Sequence, residues 1–479
     1  MGKDIMSVSK LKHGSGPRAV NMTTGDPTRL MLSFMIPMLI GNVFQQFYNL
    51  ADTMVVGQFV SADALAAVGS TGSLTNLFFA LCNGLASGAG IIVSQYFGAG
   101  NTTWVRRTIV NAFFILFTTG VVMGGAGAML ARPVLAVMKT PPEILDQAVL
   151  YMRITCVGVL GTAMYNAVAA ILLGVGDSKT PLVFLIFSSI MNIVMDLVFV
   201  IWFHWGVAGV AGATVAAQML SAAASITYAR LRNPLFCLRK EDWMIDRGVV
   251  RECFRLGVPM AIQSGMMSAS GIVLQRVVNS FGAKVMAAWT TVHKIENLIN
   301  QPLGTLSRSL STFTGQNIGA GKADRVRLGI RKGLIMAMTF VGMMMVIMWV
   351  FSGSLMRLFV NDGETEVIFI GAKALRILAL FYFVLGAIYV YRGTLNGAGD
   401  ARFSLMTGIA EMVGRIAFPG TISAIPSIGY WGLWIGNGLT WILVAATGFL
   451  RYHYGPLQKK IAECAEVGDA NNEDTSMEC

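Results

Sequence analysis

Apolar runs long enough to cross a bilayer recur from end to end of the chain, separated by short polar connectors. The pattern predicts twelve spanning helices, near 28–59, 62–97, 104–138, 142–175, 180–203, 207–231, 251–281, 284–319, 325–360, 366–397, 402–425 and 431–454. Several exceed the roughly 20 residues that a bilayer needs, so they should tilt or protrude. The longest polar connector, residues 232–250, divides the spans into two sets of six. The expected domains are a tail (1–27), an N-lobe (28–231), a linker (232–250), a C-lobe (251–454) and a second tail (455–479).

An internal repeat supports this division. Ser94 to Asn101 matches Gly315 to Lys322 around a shared Gly-Ala-Gly. Gly174-Val-Gly-Asp177 matches Gly397-Ala-Gly-Asp400, and Trp205-Gly206 matches Trp431-Gly432, with Thr214 falling on Thr440. Met152-Arg153-Ile154 matches Leu375-Arg376-Ile377, and Pro37 recurs as Pro259. Each half has an even number of spans, so the copies share one orientation. The expected fold class is an all-α membrane protein: twelve transmembrane helices in two six-helix lobes, related by a pseudo-two-fold axis along the membrane normal.

Polar residues inside the spans carry the candidate chemistry. In the first span, Gln45, Tyr48 or Asn49, and Asp52 follow at steps of three or four and share one helical face. A carboxylate at membrane depth costs about 2.5–3.5 kcal/mol on insertion scales and usually faces a cavity or a partner. In the fifth span, Asn192 and Asp196 lie four apart on one face, and Thr214 on the sixth adds a hydroxyl. The repeat sorts such groups. Arg153 and Arg376 are present in both copies and read as structural. Asp52 faces Leu274 across the repeat and Asp196 faces Pro419, so both carboxylates belong to the N-terminal half alone. Two nearby carboxylates resist simultaneous ionisation, so one would hold a proton at physiological pH. The same oxygens suit a sodium ion, a hard cation. The plainer alternative is a pair of acids that caps polar contacts in a bundle.

The C-terminal half holds Arg276, His293, Lys294, Glu296, Arg308, Arg392, Glu411 and Arg415. Glu296 is a candidate substrate contact or second proton carrier; a salt bridge to Lys294, His293 or Arg276 is the bland alternative. Glu411 and Arg415, four apart, most simply pair with each other. His293 reads as a satisfied core histidine. Clusters such as Met343-Met344-Met345 and Met266-Met267 read as lipid-facing or core filler, or as a flexible cleft lining.

Composition agrees: 54% of the 479 residues are hydrophobic and 13% charged, against about 25% charged in soluble domains. The net charge of +11 would suggest nucleic acid in a soluble protein. Here the basic residues fall in alternate loops, a topology signal that places both termini in the cytoplasm. The six cysteines form no ligand-like cluster, so neither disulfides nor zinc are expected. The first 26 residues are polar and basic with no cleavable signal peptide, so the first span would direct targeting. No P-loop or nucleophile–base arrangement appears, so no enzyme, cofactor or nucleic-acid partner is expected.

The twelve-span repeat, the Gln45-x-x-Tyr48-Asn49-x-x-Asp52-Thr-Met-Val-Val-Gly57 stretch, the Asn192/Asp196 pair and the Gly-x-Gly-Asp turns resemble the multidrug and toxic compound extrusion (MATE) family over about residues 28–454. The chain is most similar to the prokaryotic branch with an N-lobe carboxylate cluster. The NorM-like branch has an acid on the seventh span, whereas Pro259 to Gly271 holds Gln263, Met267 and Ser268 but no acid. The resemblance implies a cation site at Asp52, Asn192, Asp196 and Thr214, and a substrate chamber lined by Gln45, Tyr48 and Asn166, with Asn49 and Glu296 as further candidates. It implies a monomeric multi-pass protein of a prokaryotic inner membrane. It would export amphipathic, cationic compounds for H⁺ or Na⁺ by alternating access, with lipid as its surroundings. The rival reading is a lipid-linked precursor flippase of the wider superfamily, which would want a cleft dense in arginine.

Overall fold

The computed structural model describes residues 19–138 and 140–459. The expected tails beyond them, with Lys3, Lys10, Lys12, Arg18, Lys460, Cys464 and Cys479, lie outside the described residues, as does Lys139. Twelve long helices follow in order: α1 (Pro27–Val55), α2 (Ala62–Gly98), α3 (Thr102–Val137), α4 (Pro142–Gly174), α5 (Lys179–Leu197), α6 (Gly206–Arg232), α7 (Arg247–Asn279), α8 (Ala283–Gly319), α9 (Ala323–Arg357), α10 (Thr365–Gly397), α11 (Ala401–Ser423) and α12 (Gly432–Tyr454). The described residues contain no strand. In lipid every backbone polar group must bond internally, which leaves the helix as the form these apolar runs can take. Among the described residues, ten helices are long and apolar enough to cross a membrane. The other two, α8 and α11, are diluted by Lys294, Glu296 and Arg308 and by Glu411 and Arg415.

The chain forms two compact units. In the first, α4 packs against α2, α3 and α6, and α5 packs against α6. In the second, α10 packs against α8, α9 and α12, and α11 against α12. The repeat in sequence is thus a repeat in packing. Small residues make these crossings close: a Cβ on Gly174 would lie 2.6 Å from the Gly90 carbonyl oxygen, and one on Gly397 would lie 2.2 Å from that of Ser311. The turns repeat too. Gly100 and Gly321 adopt φ of 71° and 68°, and Gly176 and Gly399 adopt 86° and 77°, a left-handed region that favours glycine.

The units do not divide where the connector suggests. Residues 25–39 group with the second unit, and residues 19–24 and 40–254 with the first, so one change falls within α1 just past Pro37. Met31 and Met35 join the second unit's core, and Ser309 Oγ donates to the Met31 carbonyl at 3.3 Å. The connector belongs to the first unit. Asn111 of α3 holds it by donating to the Met244 carbonyl at 3.2 Å and accepting from Asp246 N at 3.0 Å.

Candidate functional site

Asp52 lies near the end of α1 and Asp196 near the end of α5. Each helix then widens into a π-helical turn, Val56–Val60 after α1 and Val198–Trp202 after α5. The two turns pack against each other and against α6. Such wide turns recur at functional sites because they re-aim side chains that a regular helix would space evenly. In the second unit α7 and α11 have no such turn.

The two carboxylates lie close enough to share a hydrogen bond. Asp196 is completely buried, Asn192 is 2% exposed and Thr214 8% exposed. Asn192 Nδ2 donates to Thr214 Oγ1 at 3.3 Å, and that hydroxyl donates to the Val210 carbonyl of its own helix at 3.1 Å. This leaves one oxygen of Asp52, both oxygens of Asp196 and the Asn192 carbonyl oxygen buried without a donor. Buried oxygens without donors are costly. Two ionised carboxylates cannot donate to each other, so a proton or a small cation between them would supply the missing partner.

The sequence-predicted residues divide three ways. Asp52, Asn192, Asp196, Thr214 and Tyr48 come together. Gln45 and Asn49 sit on exposed positions of α1, and Asn49 accepts from Thr53 Oγ1 at 2.8 Å only through its backbone carbonyl. Asn166, half-buried on α4, is separated from Tyr151 by about 22 Å of helix rise, at about 1.5 Å per residue. It therefore stands well away from the carboxylates. Tyr151, also on α4, faces both carboxylates and escaped the sequence reading. The repeat held the signal: Ala374 stands opposite Tyr151, two residues before the matched Arg153 and Arg376, so this tyrosine too occurs in one half only.

Glu296 lies in the second unit, buried, with its Oε2 3.4 Å from His293 Nδ1. His293, one of the partners the bland alternative named, is thus within reach of it. His293 is not the core residue expected, because its side chain is 57% exposed and only the ring edge turns toward Glu296. Glu411 pairs with Arg415 at 2.8 Å as the spacing indicated, and also with Arg392 of the neighbouring α10 at 3.4 Å, a partner that spacing along one helix does not reveal. Arg376 Nε donates to Ser352 Oγ on the neighbouring α9 at 3.0 Å, a link between two helices that fits its structural reading.

The sequence profile of the MatE family matches residues 37–198 and again residues 259–419, one copy in each half. The chain belongs to the MatE family. It is 30% identical over 444 residues to the probable multidrug resistance protein YpnP of Bacillus subtilis, spanning 91% of this chain and 97% of that one. It is 25% identical over 411 residues to the probable multidrug resistance protein NorM of Thermotoga maritima, spanning 85% and 88%. A solved structure of a multidrug resistance MATE family transporter in an outward-facing conformation superposes with a TM-score of 0.84 over 95% of this chain and all of that one, at 22% identity. That likeness concerns the fold. The MatE assignment agrees with the expected all-α, two-lobed membrane architecture, and makes this chain a multi-pass membrane transport protein.

Proposed function

We propose that this MatE protein is a secondary active multidrug efflux antiporter of a prokaryotic inner membrane, exporting amphipathic, cationic compounds in exchange for H⁺ or Na⁺. The observation that carries the reading is the buried Asp52/Asp196 pair, whose oxygens lack donors beside Asn192 and Thr214. A cation entering there supplies what the site lacks, whichever of the two ions it is. Tyr48 and Tyr151 face the same carboxylates, so occupancy changes the charge beside two aromatic walls. Gln45, Asn49 and Asn166 then belong to the substrate path on the same helices. Coupling follows if cation and drug favour different exposures of the site to the two sides of the membrane. Glu296 stands apart from this site as a further substrate contact.

The test is efflux of a cationic dye in inverted vesicles. Asp52→Asn protein should insert at the normal level and lose dye export. Dissipating the coupling gradient, proton or sodium, should collapse transport by the unaltered protein, while dissipating the other should leave it. Full export by Asp52→Asn, or transport indifferent to both gradients, would sink the reading; capture of a lipid-linked precursor without dye transport would favour the flippase.

A further inference from the structure

We propose that the second unit holds its own binding cavity, in which a pair of guanidinium groups takes the carboxylate or sulfonate group of an amphipathic aromatic compound. The cavity encloses about 470 Å³. Arg392, Arg415 and Glu411 stand in one part of its wall, Glu296 and His293 in another, and Trp289 and Trp441 supply aromatic surface. One carboxylate serves two guanidinium groups, through Arg415 Nη2 at 2.8 Å and Arg392 Nη2 at 3.4 Å. Each guanidinium offers five N–H donors. The Nε atoms of both arginines are buried without a partner, and the side chains are only 17% and 19% exposed. With Glu296 the wall is balanced in charge, so what remains unmet is the buried N–H donors of the two guanidiniums, which an acceptor group entering the cavity would satisfy. Planar guanidiniums suit a carboxylate or sulfonate.

The repeat gives the independent reason. Asp177 and Asp400 set an offset of 223 residues, which places Arg415 opposite Asn192 and Tyr389 opposite Asn166. Pro37 and Pro259 set an offset of 222, which places Leu274 opposite Asp52 and Met267 opposite Gln45. Leu274, Met267, Tyr389 and Arg415 all line this cavity. The matched positions thus differ in chemistry, with Leu274 standing for Asp52 and Arg415 for Asn192. Glu296, elsewhere in the wall, disfavours a dianion and suits a monoanion or a zwitterion.

The inference does not need the antiport reading, since binding is measured without any gradient. The experiment uses the full chain in phosphatidylcholine nanodiscs and titrates 2-naphthoate against its neutral isostere 2-naphthamide by calorimetry. The unaltered protein should bind naphthoate about tenfold more tightly, as expected for a charge-assisted contact. Arg392→Gln and Arg415→Gln should each erase that preference, Arg392→Lys should retain part of it, and Glu411→Gln should raise naphthoate affinity by freeing both guanidiniums. Equal binding of the two probes by the unaltered protein, which involves no variant that could misfold, overturns the proposal. So does a preference that survives in the Arg392→Gln/Arg415→Gln double variant. Adding phosphatidylglycerol should leave the naphthoate preference in place, and its loss to competition would overturn the assignment to an aromatic carboxylate or sulfonate.

Discussion

The two halves share a scaffold and differ in what they bury. Crossings of α4 with α2 and of α10 with α8 use glycine at Gly174 and Gly397, and the turns that follow use left-handed glycines at Gly176 and Gly399. Yet α1 and α5 end in π-helical turns beside Asp52 and Asp196, while α7 and α11 do not, and Leu274 and Pro419 stand at the matching positions. Even a shared residue is used differently. Asp177 accepts from Lys179 N, Thr180 N and Thr180 Oγ1 to start α5, whereas Asp400 makes a bidentate pair with Arg451 of α12 at 2.7 and 3.0 Å. Packing needs small residues at crossings wherever two helices meet closely, so duplication preserves it. A site needs its groups only once, so one copy can drift to a different charge.

The sharpest way to break this comparison is to treat matched positions alike. Asp196→Asn should reduce dye export to within about twofold of background if the acid carries coupling. Pro419→Ala, at the position matching Asp196, should leave most of it. Equal losses in vesicle efflux at both positions would mean that the halves are not functionally distinct.

The scaffold should answer the opposite way. Gly174→Ala and Gly397→Ala each force a Cβ into a carbonyl oxygen, and overpacking of this kind costs about 1–3 kcal/mol. Thermal unfolding in detergent should show comparable destabilisation for the two. A large effect in one half only would show that the crossings are not equivalent.

A smaller contrast separates the two turn aspartates. Asp400→Asn breaks a charge-assisted pair and leaves Arg451 short of its partner, at a cost of about 1–3 kcal/mol. Asp177→Asn keeps a side-chain oxygen that can still cap α5, so its cost should stay at a few tenths of a kcal/mol. Hydrogen exchange at the starts of α11 and α5 would measure both. At the bottom of the scale, Arg132→Ala removes only an exposed pair with Asp146 and should leave the unfolding temperature unchanged.

Much of this was legible in the chain. Apolar length and polar connectors located all twelve helices to within a few residues, because a bilayer leaves the backbone no alternative to internal bonding. The repeat singled out Asp52 and Asp196 as unpaired between halves, and the structure brings them together with Asn192, Thr214 and Tyr48. The same criterion would have reached Tyr151 had aromatic residues been compared as the acids were. The exposure of His293 and the reach of Arg392 to Glu411 were not legible, since both depend on how neighbouring helices are rotated. The grouping of residues 25–39 with the second unit was equally hidden: Pro37 marks a break in α1 but does not say which neighbour each side will pack against.

The sequence by itself determined the spans, the duplication and the fact that Asp52 and Asp196 have no acid at the matching positions of the other half, because hydropathy and spacing along a helix are local properties. Only the tertiary structure decided which polar groups meet. Helix rotation, close crossings at glycine and the widened turns after α1 and α5 set the approach of Asp52 to Asp196. The same rotations turned Arg392 and Arg415 onto a single carboxylate. Those angles arise from packing between helices far apart in the chain, and no local pattern records them.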